Sequence, residues 1–164
     1  MIIFIKNKYT LQLDEFKFKC CIGKKGSTIN KKEGDKKTPK GIFEIENLYF
    51  RKDRIKKPET SLNCKEIKGN MGWCDDSLSP DKYNKLIKIN KNLKHEKLKR
   101  NDNKYDLLIP IKYNFEKPII GKGSCIFIHL TKDYKPTAGC IALKKKDFLI
   151  MLKLIKKNSK IKIS

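Results

Sequence analysis

The chain contains no valine, and its only alanines are Ala138 and Ala142. Arginine is nearly missing as well: Arg51, Arg54 and Arg100 are the only ones, and every other basic residue is a lysine or one of two histidines. Lys, Ile and Asn fill the gap, which is the direction in which an AT-rich coding sequence drifts. That skew bears on the formal net charge of +22. So large a positive charge favours anionic partners in general. The lysines are nevertheless spread along the chain, with no Arg-led cluster suited to reading base edges. The charge therefore reads as a solvated basic surface and argues against a dedicated nucleic-acid site.

Other absences exclude whole classes. No apolar run approaches the roughly 20 residues that a membrane-spanning helix needs. The opening Met1-Ile2-Ile3-Phe4-Ile5-Lys6 is too short for the apolar region of a signal peptide, and no small-residue cleavage site follows it. A cytoplasmic location is the expectation. The six cysteines include no C-x-x-C pair, and only His95 and His129 could join them around zinc, so no metal is expected. Without export, free thiols are the default, most of them packing as small apolar side chains. No repeat and no linker interrupts the 164 residues, which suffice for one domain, 1–164, with a real core. A monomer is expected.

What is present is mostly strand-like. Residues 2–5, 10–13 and 16–21 are short apolar or alternating runs; Phe16, Phe18 and Cys20 alternate with Lys17 and Lys19, the period of a half-buried strand. A polar stretch follows from 23 to 41, and within it 31–39 carries the Gly and Pro punctuation of an ordered loop. Residues 41–50, 105–113, 124–130 and 160–163 are further strand candidates. Residues 51–104 are polar, interrupted by Pro58 and Pro80, and read as an ordered, packed insertion containing a short surface helix at 91–100. Residues 147–157 fit an amphipathic helix, with Phe148, Met151, Leu152 and Ile155 on one face. The class is α+β, dominated by antiparallel strands.

Chemistry concentrates near the C-terminus. His129 lies in the candidate strand 124–130, on the face shared by Cys125 and Phe127. Cys140 follows Gly139, where the missing Cβ lets backbone amides approach a reacting carbonyl. A paired Cys and His can form thiolate and imidazolium, which makes sulfur a strong nucleophile. A core histidine beside a buried thiol would look the same from these two residues alone. The alanine scarcity sharpens the choice: both alanines flank Cys140 in Ala138-Gly139-Cys140-Ile141-Ala142, as if these positions accept nothing larger.

Gly123-Ser124-Cys125-Ile126-Phe127-Ile128-His129, followed eight residues later by Thr137-Ala138-Gly139-Cys140, resembles the active-site signature of the L,D-transpeptidase catalytic-domain family. Four further blocks in the same order match a compact branch of it: Lys31 to Pro39, Gly72-Trp73-Cys74-Asp75-Asp76 with Tyr83-Asn84 after it, Tyr105-Asp106, and Tyr113-Asn114. The resemblance implies an L,D-transpeptidase-like β-sandwich with a C-terminal helix, no cofactor, and peptidoglycan stem peptides as partners. It makes Cys140 the nucleophile and His129 the general base, gives the oxyanion to backbone amides of Gly139 and Cys140, and puts Thr137 and Ala138 against substrate. Ala138 stands where the family commonly has a second histidine, and Ala142 where it has Arg or Asn. Trp73, Asp75 and Asp76 read either as a cleft whose acids face a peptide amine, or as a core anchor with turn residues. Asn114 orders a loop near His129 or serves structure alone. The implied activity is transpeptidation of tetrapeptide stems through a Cys140 thioester with loss of D-alanine. Hydrolysis of the same thioester, as an L,D-carboxypeptidase, and a non-catalytic basic binding domain on the same scaffold are the alternatives.

Overall fold

The computed structural model describes all 164 residues. The chain opens as a meander, β1 (Ile2–Asn7), β2 (Thr10–Leu13) and β3 (Phe16–Cys21), in the places the alternation marks. Two-residue strands β4 (Ser27–Thr28) and β5 (Thr38–Pro39) bracket the Lys31 loop, and β6 (Gly41–Glu44) follows. The single strand expected at 41–50 is two, because β7 (Leu48–Phe50) leaves β6 to pair elsewhere. Next come β8 (Cys64–Glu66), β9 (Met71–Cys74), β10 (Leu86–Lys88), β11 (His95–Lys97) and β12 (Leu107–Pro110). The chain ends with β13 (Phe127–Leu130), β14 (Ile141–Leu143), α1 (Lys145–Leu154) and β15 (Lys160–Ile163).

Ten of these strands form one curled mixed sheet in the order β6-β15-β1-β2-β3-β14-β13-β12-β7-β8. The pairings β1·β15, β13·β14 and β7·β8 are parallel and the others antiparallel, so the sheet is less uniform than the sequence implied. The fold is mostly β with one short helix near the C-terminus. No helix is long and apolar enough to cross a membrane.

The helix expected at 91–100 does not form. There β11 pairs with β9, placing His95 opposite Cys74 and Glu96 opposite Trp73, in a small sheet of order β10-β9-β11. The polar run carries no helical stripe strong enough to compete with that ladder. The C-terminal helix spans Lys145–Leu154, starting and ending earlier than the expected 147–157. Its buried face is Phe148, Met151 and Leu152, and Ile155 caps it, also buried.

Alternation along β12 and β13 divides the interior. Leu107, Ile109, Ile128 and Leu130 enter a large core of 26 mainly aliphatic residues under the helix. Leu108 and Phe127, one residue out of phase, enter a second cluster of 8 residues with Trp73 and Tyr105. Both faces of β13 are therefore covered, and the run Ile126-Phe127-Ile128-His129-Leu130 is buried throughout.

Candidate active site

The parallel ladder between β13 and β14 aligns Ile128 with Ile141, His129 with Ala142 and Leu130 with Leu143. One step back, Cys140 lies opposite Phe127, whose N–H donates to Cys140 Sγ at 3.4 Å. Because side chains alternate along a strand, Phe127, His129, Cys140 and Ala142 share one face. Ala142 is fully buried between His129 on β13 and Cys21 on β3. Its small side chain leaves the imidazole its place on that face.

The turn before Cys140 needs its residues individually. Gly139 adopts φ +150°, and a Cβ there would lie 2.9 Å from Lys37 O and 3.3 Å from Ile126 Cδ1, so only glycine fits. Thr137 Oγ1 donates to Cys140 O at 2.6 Å and accepts from Gly139 N–H at 3.1 Å. Of the two amides at the turn, Gly139 N–H is thus held by Thr137, while Cys140 N–H has no partner within the chain. Cys125, at φ +53°, ends the strand expected at 124–130 three residues short. The kink points its carbonyl at the thiol, which donates to it at 3.2 Å.

Charge is kept low at the centre. Burial pushes the Cys140 thiol up to about 12; the Glu96 charge adds to the rise, while the Phe127 N–H and the Lys31 charge oppose it. Burial lowers His129 to about 4, against the hydrogen bond to Leu130 O, with Lys104 and Arg100 adding to the fall. Both shifts favour the uncharged forms of thiol and imidazole. His129 Nδ1 lies 2.9 Å from Leu130 O. A carbonyl only accepts, so Nδ1 carries the proton and Nε2 is left as the acceptor. The Tyr105 ring packs edge-on against the imidazole at 5.4 Å and fixes its plane.

Cys140 and His129 open onto a cleft of about 1130 Å³ whose wall also includes Thr137, Ala138, Gly139 and Asp75. The other candidates stand off the wall. Trp73 is buried in the aromatic cluster, its Nε1–H donating to Asn84 Oδ1 at 3.0 Å. Asp76 accepts from Leu78 N–H at 2.9 Å and Lys94 N–H at 3.0 Å, closing a turn. Asn114 bonds Ile119 and Gly123 backbone groups and so orders the loop leading to β13. Asp75 Oδ1 is buried without a partner.

Sequence reasoning gave no role to several groups on the wall. Glu33 accepts from Tyr83 Oη at 2.5 Å and from Ser124 Oγ at 2.8 Å. Glu96, its carboxyl raised by burial, accepts from Tyr105 Oη and faces Arg100 at 3.8 Å. Glu33 and Tyr105 sit in blocks that carried the resemblance, which was the available signal. Glu96 and Arg100 were hidden in the run taken for a surface helix. Behind the wall, Asn84 at 3% exposure accepts from Trp73 and Cys125 N–H and donates to Tyr113 O and Asn114 O.

A thiol just before β14 and an imidazole on β13 thus line one cleft beside an unpaired amide. The chain belongs to the family of L,D-transpeptidase catalytic domains: the YkuD family model, so described, matches residues 2–163. Members of this family are in general cysteine-dependent enzymes that modify peptidoglycan. No curated protein and no solved structure matches the chain.

Proposed function

We propose that the protein is an L,D-transpeptidase-type acyltransferase acting on peptidoglycan tetrapeptide stems. The observation that carries this reading is the register pairing His129 with Ala142, which places imidazole and thiol on one face of the β13·β14 ladder above the cleft. Cys140 Sγ attacks the carbonyl on the L-centre of the third stem residue as its proton passes to His129 Nε2. The oxyanion turns toward Cys140 N–H. As the tetrahedral centre collapses, the C–N bond breaks and His129 returns the proton to the departing D-alanine amine, leaving a thioester. An amine of a second stem then attacks the thioester, losing a proton to His129, and the thiol is restored with a 3→3 cross-link. Water in place of the amine yields a tripeptide, the L,D-carboxypeptidase outcome, through the same first half-reaction.

Incubation of the protein with a disaccharide-tetrapeptide, followed by mass spectrometry, separates the outcomes. A Cys140-dependent dimer supports transpeptidation, and a Cys140-dependent tripeptide supports hydrolysis. No such product from folded protein sinks both and favours a binding scaffold, whose polyanion affinity would fall steeply with salt. With His129 at about 4, kcat/KM stays level as pH falls through 6.5 and drops only near pH 4, where the base is protonated.

A further inference from the structure

One charged side chain of the cleft has no part in this reaction. Lys31 lines the wall with Cys140, and its side chain is only 3% exposed. Nζ donates to Lys32 O and to Asp35 Oδ1, both at 2.7 Å. An ammonium has three donors, and the third finds no partner in the chain. The opposing backbone makes room for it: Gly123 adopts φ +102°, and a Cβ there would lie 3.1 Å from Lys31 Cγ and 3.3 Å from Nζ. Two residues on, Cys125 O receives the Cys140 thiol. The ammonium thus lies beside the segment that holds the nucleophile.

The other cations of the wall differ in kind. Lys104, Lys132, Lys135 and Lys145 are exposed, and Arg100 is forked onto Asp102 at 2.9 and 2.7 Å. Of the cleft's acids, Glu33 has donors in Tyr83 and Ser124 and Glu96 has one in Tyr105, while Asp75 Oδ1 has none. A desolvated ammonium holds an anion with little screening by salt or water. Tying the loop to Asp35 would not require a place on the cleft wall.

We propose that Lys31 is a specificity-determining residue that receives the free terminal carboxylate of the peptide acyl donor. The proposal rests on the acyl-transfer reading of the same cleft. The residue expelled in that reaction carries its carboxylate one carbon away from the scissile nitrogen, so the carboxylate binds close to Cys140. Lys31 is the buried ammonium available there.

The test compares a tetrapeptide ending in a free carboxylate with the same peptide amidated, using wild type and Lys31→Met. Wild type is expected to prefer the acid by about 10- to 100-fold in kcat/KM, the worth of one charge-assisted hydrogen bond. Lys31→Met is expected to bring that ratio close to one by raising KM for the acid far more than for the amide; any loss through the Lys31 charge near Cys140 falls on both peptides alike and leaves the ratio untouched. Asp35 keeps the Lys32 and Lys37 amides in that variant. No preference in wild type, or an equal loss on both peptides in the variant, overturns the proposal. Should thermal melts show the variant unfolded, product inhibition of wild type decides: D-alanine inhibiting more strongly than D-alaninamide supports it, and equal inhibition overturns it. Turnover without preference defeats this proposal alone, whereas no turnover of either peptide defeats the acyl-transfer reading with it.

Discussion

The aliphatic core under α1 and the aromatic cluster behind the cleft draw on opposite faces of the same strands, yet they are held by different forces. In the first, Ile, Leu, Phe and Met side chains exclude water and nothing polar is needed at the centre. In the second, Trp73, Tyr105 and Phe127 meet edge-on at 5.3 and 5.7 Å, and Asn84 and Glu96 fix them with hydrogen bonds. Burial is tolerant of direction, whereas a hydrogen-bonded hub fixes angles. The molecule keeps its stability on one face of the sheet and its positional accuracy on the other.

Several substitutions would break or sharpen that division. The largest effect is expected from Cys140→Ala, which should lower turnover by about four orders of magnitude while the melting curve stays in place. Phe148→Ala should do the reverse, costing about 3 to 5 kcal/mol in urea unfolding with kcat of the folded fraction unchanged. Acid belongs to the cleft face. Above pH 6.5 His129 is neutral both folded and unfolded; between 6.5 and about 4 only the unfolded chain takes up the proton. Stability is therefore lost as pH falls across that window, by about 3 kcal/mol at its end. Urea midpoints at pH 7 and pH 4 should show the loss in wild type, and His129→Gln should show that much less.

Asn84→Gly keeps the backbone at ease at φ +55° but removes all four hub bonds. It should cost about 2 to 3 kcal/mol and lower kcat as well; a loss of stability with kcat intact would erase the distinction between the two faces. The smallest effect is expected from Ala142→Val, where overpacking against His129 costs about 1 to 2 kcal/mol. Its mark should be a fall in kcat with KM held, read in steady-state kinetics.

The aliphatic side was legible in the sequence because its forces leave periodic traces. The strands at 10–13, 16–21 and 160–163 lie where alternation put them, and the helix face Phe148-Met151-Leu152 follows its spacing. Cys140 and His129 could be singled out from alanine scarcity and from the resemblance. What ties them together could not: the β13·β14 pairing joins segments with no mutual pattern, and parallel register has no local signal. Within the Lys91 to Arg100 run, His95–Lys97 became a strand because an edge of β9 was waiting for it, a tertiary fact that propensity does not carry. The kink at Cys125 was equally hidden, since a cysteine at positive φ looks like any other residue in an apolar run.

The ladder that aligns thiol and imidazole sits in the middle of the ten-stranded sheet, flanked by β3 on one side and β12 on the other. Opening it locally means parting interior strands rather than fraying an edge, so its amides should exchange with solvent only through near-global unfolding. Most lids and loops loosen before their proteins melt. Here the two reacting groups share the fate of the whole sheet, and heat inactivation should trace the same curve as loss of structure, with no earlier step.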